Sequence, residues 1–335
     1  MHKLGPLVAD MYVMQLVGNQ MLKYRDTMNE EVQRGKFKTL NLMHHFTSGL
    51  KSLFSQTTYD GIELIRINCG GAGYSAWSYL PALYDKYSPV PVYEGDNTVM
   101  AQQTLSYIEK KIVKIQKGVP AKGIFAYLNN IERLCTEVNQ GLTIENFTDI
   151  KFLQKALSVR AAFMVRDVLT KLKDKSIKKK IKVNDLYAQD LLLMSKFHHT
   201  YMSLTIFHLS ATNSVIKDPK IAEHLELLGK IYALKQLQLD SGILYETGFF
   251  KNGARHLIGE AMQKCLLQLR PQIISLVELE TDELYDQSYL SAIGNKYGDI
   301  YERQLELARG SRLNHPNVPE WWQKEVKPLM GTYKL

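Results

Sequence analysis

The sequence is poor in cysteine and has no long uninterrupted apolar run. Its three cysteines, Cys69, Cys135 and Cys265, are odd in number and far apart. Disulfide frameworks and cysteine-based zinc sites need paired or closely spaced cysteines, so we expect neither, and we expect a reducing compartment. A membrane-spanning helix needs about 18 or more consecutive apolar residues. No such run occurs, so no membrane span is predicted.

Positive charge exceeds negative charge, but its distribution does not favour nucleic-acid binding. The formal net charge is +8, and much of the excess falls in a lysine run between Lys171 and Lys182. Nucleic-acid binding needs basic residues concentrated on a binding surface. A charged run between two helical patterns is instead typical of a solvated loop. We predict such a loop and no nucleic-acid partner; a docking patch for an acidic partner is the alternative.

Apolar residues recur at three- and four-residue steps along most of the chain, which predicts an all-α protein. Capping residues at Asn41, at Asp96 or Asn97, at Asp149 and at Asp218 mark helix starts. The linker at residues 120–123 predicts a helical bundle over 1–120 and a second helical domain over 121–335. The predicted helices cover roughly residues 7–33, 41–69, 97–118, 124–138, 150–170, 185–209, 219–234, 253–270 and 288–307, with loops at 141–149 and 245–250.

A glycine-rich segment at residues 69–75 follows the second predicted helix. Its Gly71-Ala72-Gly73-Tyr74-Ser75-Ala76 stretch fits the dinucleotide fingerprint G-x-G-x-x-A. That fingerprint needs a strand before it and a βαβ unit around it, and neither is indicated. We therefore reject a Rossmann site. The glycines still indicate close approach of the backbone to a ligand or a neighbouring subunit, because they lack a Cβ atom.

Glu94 is the carboxylate that stands out as a candidate base. It follows the apolar residues 90–93 and lies just before a helix start. An apolar setting raises the pKa of a carboxylate, as a general base acting near neutral pH requires. A surface loop whose glutamate caps the next helix is the alternative. Asn97 and Thr98 lie at the helix start, where they could contact a ligand oxygen or serve only as caps.

Several segments resemble the acyl-CoA oxidases, the flavin oxidases of peroxisomal β-oxidation. They are Cys-Gly-Gly-Ala-Gly-Tyr-Ser at 69–75, Tyr-Glu-Gly-Asp-Asn-Thr-Val-Met at 93–100, Gly-Leu-Lys at 49–51, Leu-Arg-Pro at 269–271 and Gly-Asp-Ile-Tyr-Glu at 298–302. The resemblance covers essentially the whole chain but only the C-terminal half of a family member. The N-terminal helical domain and the β-barrel that would cover the flavin have no counterpart in this sequence.

The resemblance implies a function and a site. Glu94 would remove the α-proton of a fatty acyl-CoA while the β-hydrogen passes as hydride to FAD, and O2 would be reduced to hydrogen peroxide. Gly70, Gly71 and Gly73 would lie against the pyrophosphate and adenosine end of FAD, often across a dimer interface, and Asn97 and Thr98 would lie near the flavin. Ala72 stands where many members have a histidine, so any contact from that imidazole is absent.

The resemblance also implies partners and a compartment. A homodimer, or a second chain carrying the β-barrel half, would complete the site. The terminal Tyr333-Lys334-Leu335 is an imperfect form of the peroxisomal signal Ser-Lys-Leu. Three explanations stay open for the missing half: a fragment or truncated sequence, a chain that pairs with a second one, or a non-catalytic helical subunit.

No metal site is predicted. His44 and His45 lie on one helix, where neighbouring side chains point to different faces, and they lack a third ligand. His198 and His199 lie among apolar residues of another helix, which favours a core or interface role.

Overall fold

A computed structural model describes residues 1–139, 141–212, 218–278, 300–311 and 320–330. These residues are helical or lie in turns, and no β-strand occurs among them, which confirms the all-α prediction. The α-helices are α1 (Gly5–Gln33), α2 (Lys38–Asn68), α3 (Gly71–Tyr74), α4 (Leu80–Tyr87), α5 (Asn97–Gln103), α6 (Leu105–Gln116), α7 (Ile131–Thr136), α8 (Ile144–Thr148), α9 (Ile150–Lys173), α10 (Lys179–Ile181), α11 (Ala188–Thr212), α12 (Pro219–Leu239), α13 (Gly242–Glu246), α14 (Ala254–Leu269), α15 (Ile273–Glu278) and α16 (Ile300–Arg309).

The chain forms two compact units. The first comprises residues 1–64 and 87–277, and the second comprises residues 65–86 and 278–335. These units do not coincide with the division at residues 120–123, which stays a prediction. In the described ranges, no helix combines the length and the apolar character needed to cross a membrane.

The core of the first unit is built around α9 and α11. Helix α11 packs against α9, α1, α12 and α5. Its fully buried apolar residues are Leu191, Met194, Phe197, Met202 and Leu204, and those of α9 are Leu153, Ala156, Leu157, Val159, Ala161, Ala162, Val165 and Val168. Between Leu191 and His208 no residue of α11 is exposed, so other helices must cover this stretch.

Aspartate caps start three of the helices where the sequence placed them. The side chains of Asp96, Asp149 and Asp218 each accept a hydrogen bond from the backbone N–H two residues later, at 2.8, 3.0 and 2.8 Å. Such caps satisfy backbone donors that the first turn of a helix leaves free. The predicted starts of α5, α9 and α12 are therefore confirmed.

Other boundaries differ from the prediction for local reasons. The predicted loop at 141–149 contains α8, because Thr143 and Asn146 form a reciprocal capping box. The helix after Asp96 is interrupted at Thr104, and Gly123–Asn130 is a 3₁₀-helix followed by α7. Helix α13 occupies part of the predicted loop at 245–250. Of the predicted segment 288–307, the part before Ile300 lies outside the described residues.

The lysine run is not a uniformly solvated loop. Lys171 pairs with Asp167 and Asp190 at 2.7 and 3.0 Å, and Lys179 pairs with Glu109 at 2.7 Å. The Lys182 side chain is buried, and its Nζ lies 3.3 Å from the Leu172 carbonyl oxygen. A π-helical turn at Lys182–Leu186 follows, so α11 begins only at Ala188. Acidic residues within the chain therefore pair with two lysines of the run, whereas Lys173, Lys175, Lys178 and Lys180 are exposed as predicted.

Two leucines on α11 test the role of this helix in the core. Leu204 is fully buried, whereas Leu209 is half exposed. Replacing a fully buried leucine with alanine removes buried surface and leaves a cavity, which costs about 2–5 kcal/mol. We therefore expect Leu204→Ala to lower the free energy of unfolding by that amount. Leu209→Ala should change it by about 0.5 kcal/mol or less. Urea denaturation followed by circular dichroism measures both, and equal losses would contradict the assignment of α11 to the core.

Candidate active site

Glu94 lies in a tight turn between α4 and α5. The N–H groups of Val92 and Tyr93 both donate to the Pro89 carbonyl oxygen at 2.9 Å. Glu94 and Gly95 have φ angles of +56° and +105°, so two successive residues adopt the left-handed region. This region is unfavourable for a glutamate and persists only where the surroundings hold it.

The lysine of the Gly-Leu-Lys segment holds this turn against α2. The Lys51 Nζ donates to the Pro91 carbonyl oxygen at 3.1 Å, to the Gly95 carbonyl oxygen at 2.5 Å and to Asn97 Oδ1 at 2.9 Å. One ammonium group thus connects both sides of the Glu94 turn to one position on a long helix. A rigid element fixes the turn, as a functional loop requires.

Asn97 is the second point of attachment to α2. Ser52 Oγ donates to the Asn97 carbonyl oxygen at 2.8 Å, and Ser55 Oγ donates to Asn97 Oδ1 at 3.0 Å. The Asn97 Nδ2 is buried and has no hydrogen-bond partner among the described residues. Asp96, not Asn97 or Thr98, caps α5. Asn97 therefore anchors the turn and keeps one amide donor unused.

The side chain of Glu94 is exposed in this structure. Val92 and Tyr93 beside it are 64% and 50% exposed, so the expected apolar setting is not formed by the chain's own residues. The alternative in which Glu94 caps α5 is also wrong, because Asp96 provides that cap. The Glu94 N–H forms no backbone hydrogen bond within the described residues. The side-chain carboxylate and the backbone N–H of Glu94 are therefore both available to a ligand.

The glycine segment belongs to the second unit and is described by itself. Gly70 is exposed with φ of +58°, and Gly73 is buried. A Cβ atom on Gly73 would lie 1.8 Å from the Arg66 carbonyl oxygen, whereas one on Gly71 would meet no atom within 4 Å. The lack of a Cβ at Gly73 is therefore explained by close packing within the chain. Gly70 and Gly71 both have free space where a Cβ would lie, but the positive φ of Gly70 by itself favours glycine there.

The structure corrects one premise about the histidines. His45, His198 and His199 are all buried, which confirms the core role of the latter two. One nitrogen of each ring lies within 4.8 Å of a nitrogen of both others. His45, which has no suitable neighbour in its local sequence, therefore lies beside two histidines of α11. His44 is exposed and does not take part.

A basic cleft in the first unit does not involve the Glu94 turn. Its volume is about 1380 Å³, and its lining includes Lys38, Lys111, Arg133 and Arg166. None of Glu94, Asn97 and Thr98 lines it. The sequence-predicted site is therefore a turn on the surface of this chain rather than this cavity.

Comparison with known proteins identifies the family. The sequence profile of the acyl-CoA oxidase C-alpha1 domain matches residues 1–109, and the acyl-CoA oxidase profile matches residues 149–331. The chain belongs to the acyl-CoA oxidase family. It is similar to peroxisomal acyl-coenzyme A oxidase 1 of Phascolarctos cinereus, with 32% identity over 98% of this chain and 50% of the relative, and to that of Homo sapiens, with 30% identity and the same coverage.

Solved structures of acyl-CoA oxidases have the same fold. Arabidopsis thaliana acyl-CoA oxidase 1 matches with a TM-score of 0.89 and 27% identity, over 98% of this chain and 49% of that one. Acyl-CoA oxidase-1 of Caenorhabditis elegans, complexed with FAD and ATP, matches with a TM-score of 0.86 and 26% identity over the same shares. The chain therefore spans about half the length of the relatives it matches.

Three residues that support the turn in this acyl-CoA oxidase family member were missed by sequence reasoning. They are Lys51, Ser52 and Ser55 on α2. Lys51 belongs to one of the segments that carry the family resemblance, but nothing in its local sequence indicates contact with residues 91–97. The pairing joins residues that are 40 to 46 positions apart in the sequence. The family motif was the available signal, although it assigned no role.

Lys51 offers a direct test of how the turn is held. Lys51→Met removes all three hydrogen bonds to residues 91–97 and leaves their acceptors unpaired. We expect the free energy of unfolding to fall by about 1–3 kcal/mol and the backbone amides of residues 92–97 to exchange faster with deuterium. Lys122→Met, at an exposed linker position, is the control. Unchanged exchange in Lys51→Met would show that the turn holds itself.

The two glycines provide a matched pair. Gly73→Ala forces a contact with the Arg66 carbonyl oxygen, so we expect a clear loss of thermal stability. Gly71→Ala meets open space, so stability should hardly change. If Gly71 lies against FAD, the same substitution should weaken FAD binding measured by flavin fluorescence titration. A stable Gly71→Ala variant with unchanged FAD affinity would remove Gly71 from the FAD contacts.

Proposed function

We propose that this chain supplies the base-bearing half of an FAD-dependent acyl-CoA oxidase. The Glu94 carboxylate removes the α-proton of a fatty acyl-CoA thioester, and a trans-2-enoyl-CoA is formed. Bound FAD would supply the redox chemistry, a hydride acceptor for the β-hydrogen and a route for the electron pair to O2, with hydrogen peroxide as the product. The observation that carries the proposal is the turn at residues 91–97, which α2 holds through Lys51 and Asn97 in a chain of this family. Such fixing is what a positioned base needs.

The backbone of Glu94 supports a second role in the same step. Proton removal from the α-carbon places negative charge on the thioester oxygen, and a hydrogen-bond donor at that oxygen stabilises it. The Glu94 N–H has no backbone acceptor among the described residues. We assign this N–H to the thioester oxygen. The positive φ of Glu94 then sets the direction of the N–H relative to the carboxylate that acts as base.

Residues that fit FAD occur at two places in this chain, one in each compact unit. The unused Asn97 Nδ2 is a donor for an acceptor atom of the flavin. Thr98 lies next to it and is half-buried. In the second unit, the open space beside Gly71 allows the backbone to approach the pyrophosphate and adenosine end of FAD, in the same site or in that of a partner chain. We propose the same role for Gly70. Gly73 instead packs closely against the Arg66 carbonyl oxygen and so fixes the conformation of the segment.

Residues outside the Glu94 turn must cover the site and exclude water from it. Proton abstraction beside a flavin needs a site that excludes water, and Glu94 is exposed here. The relatives are about twice as long as this chain. We propose that a second copy of the chain, or a chain or segment equivalent to the remaining half of the relatives, covers Glu94. The relatives' names place them in the peroxisome, and we propose that compartment here. Tyr333-Lys334-Leu335 lies outside the described residues.

A non-catalytic helical subunit is the second candidate. The exposure of Glu94 favours it, because an exposed carboxylate is what a retained but unused loop would show. In this case the fold would persist as a binding or scaffolding element. The two candidates differ in whether FAD binds and whether Glu94 matters.

The deciding experiment measures flavin and peroxide together. The purified chain is assayed for visible flavin absorption and for peroxide release on addition of palmitoyl-CoA, with and without added FAD. The same assay is repeated with the N-terminal half of a full-length relative added in trans. Flavin binding with peroxide release in either arm supports the oxidase proposal. A folded helical chain with neither signal in both arms would overturn it in favour of a non-catalytic subunit.

Glu94→Gln tests the role of Glu94 as the base while leaving the fold unchanged. The change keeps the size of the side chain and removes its ability to accept the α-proton, so turnover should fall by about 10²- to 10⁴-fold while flavin binding and helicity remain. Glu260→Gln, at an exposed position on α14, is the matched control and should keep full activity. Peroxide release that survives in Glu94→Gln would exclude Glu94 as the base.

A further inference from the structure

Three histidine rings from two helices meet inside the first unit. His45 comes from α2, and His198 and His199 come from α11, and none is more than 1% exposed. One nitrogen of each ring lies within 4.8 Å of a nitrogen of both others. The rings of Tyr107 and Phe125 pack beside His45, with centroids 4.7 and 5.6 Å from its own. The proposed catalytic chemistry uses none of the three histidines.

Hydrogen bonds determine which nitrogens are available. His199 Nδ1 lies 2.8 Å from the Ser195 carbonyl oxygen. A carbonyl only accepts, so Nδ1 carries the proton and the lone pair is on Nε2. His199 Nε2 is buried without a partner among the described residues. His198 Nδ1 lies 2.6 Å from the Tyr127 hydroxyl oxygen, and its Nε2 lies 3.0 Å from His45 Nε2. His45 Nε2 and His198 Nε2 therefore face each other, and Nε2 is the nitrogen of His199 that the hydrogen bond to Ser195 leaves for the cluster, with the backbone of His45 also close to this ring.

The packing of α2 leaves room for this arrangement. Gly49 lies one turn after His45 on α2, and a Cβ atom there would lie 2.0 Å from His199 Cε1 and 2.2 Å from its Nε2. Only a glycine lets the tip of the His199 ring come this close to α2. Gly49, the glycine of the Gly-Leu-Lys segment, therefore leaves the space that the His199 ring occupies.

The electrostatic environment keeps all three rings neutral. Burial lowers the pKa of His199 to about 4, and it lowers the pKa of both His45 and His198 well below the usual value, with the charge of His199 as a further cause. Neutral imidazole is the form that binds metal ions. Three uncharged rings with converging lone pairs have the composition of a nitrogen-ligand metal site.

We propose that His45, His198 and His199 bind one divalent transition-metal ion, Zn²⁺ being the best match, through their Nε2 atoms. Zinc binds imidazole nitrogen at about 2.0–2.1 Å and forms sites with three histidines and one further position. The other nitrogens of two rings already have the second-shell partners that zinc-bound histidines show, a backbone carbonyl at Ser195 and the hydroxyl of Tyr127. The hydrogen bond between His45 and His198 is replaced by ligation.

The site would join α2 to α11. His45 precedes Lys51 on α2 by six positions, so an ion bound there fixes the helix that carries the Glu94 turn. Its role is structural support of that helix, and it needs no part in the proposed oxidase chemistry. Failure of one proposal therefore leaves the other untouched.

The test uses the full chain with Zn²⁺ and Co²⁺ alone. Zinc content is measured by mass spectrometry after expression in zinc-supplemented medium. The chelated chain is then titrated with Co²⁺, whose visible absorption reports tetrahedral coordination by the three imidazole nitrogens and one further ligand. We expect about one ion per chain and a rise in the thermal midpoint on metal addition, because the ion binds the folded state. A chain that folds without zinc and gives no such cobalt spectrum would overturn the site.

Variants locate the ion. His45→Gln and His199→Gln should weaken Co²⁺ binding by at least about 100-fold, and Tyr127→Phe, which removes only a second-shell partner, by about 10- to 100-fold. His44→Gln, at the exposed neighbour on α2, should bind as the wild type does. Full binding in His45→Gln and His199→Gln would place the ion elsewhere and overturn the proposal. Should either fail to fold, Tyr127→Phe and the wild-type spectrum decide.

Discussion

The burial of α11 between Leu191 and His208 is the constraint on which the first unit depends. No residue in this stretch is exposed, so α1, α5, α9 and α12 must all pack against the helix. The same helix contains His198, His199 and Thr200, each fully buried. Polar groups without water must find partners inside the protein. Thr200 donates to the Lys196 carbonyl oxygen at 2.7 Å, and His199 and His198 reach Ser195 and Tyr127. The same residues of α11 therefore fill the core and form hydrogen bonds with groups inside it.

Helix α2 connects this interior to the candidate active site. On one stretch of the helix, His45 and Gly49 meet the histidines of α11. One turn further, Lys51, Ser52 and Ser55 hold the turn that carries Glu94. A shift of α2 against α11 would thus move the attachment points of Asn97 together with the histidine contacts. The Gly-Leu-Lys segment takes part in both sets of contacts, because its glycine packs against His199 in the interior and its lysine holds the Glu94 turn.

Local signals explain what the sequence could predict. Periodic apolar residues and aspartate caps identify α1, α5, α9 and α12, because these features act within a few residues of the helix they start. The start of α11 was placed too early, because a helix that is apolar all round gives no amphipathic boundary and because a π-helical turn precedes it. The short α8 was missed because its capping box lies in a stretch with a turn-like composition.

Long-range contacts explain what the sequence could not predict. His45 and His198 are separated by 153 positions, and Lys51 and Gly95 by 44, so no local pattern joins them. The expected apolar setting of Glu94 failed for a related reason, whereas the alternative of a surface loop was right about its exposure: apolar neighbours in sequence do not enclose a side chain when they lie in a surface turn. The family resemblance named Glu94 and Asn97, but the structure supplies the partners that hold them.

The buried polar atoms without partners are unevenly distributed, and their positions favour the two proposals. Most lie on α2, α5 and α11, and they include His45 Nδ1, Ser48 Oγ, Asn97 Nδ2, His199 Nε2 and Ser203 Oγ. Elsewhere, Arg160 is fully buried, yet its Nη1 donates to the carbonyl oxygens of Gln236 and Asp240, and its guanidinium lies 4.1 Å from the Phe197 ring centroid.

Burial lowers the pKa of Arg160 to about 10, so the end of α12 accepts a costly charge because its free carbonyls and partial negative charge compensate it. Two further nitrogens of this guanidinium, Nε and Nη2, lack a hydrogen-bond partner among the described residues, so an unpaired buried donor alone does not identify a ligand position. Asn97 Nδ2 and His199 Nε2 are proposed as ligand positions because of what lies beside them, the Glu94 turn for the first and two further histidine rings for the second.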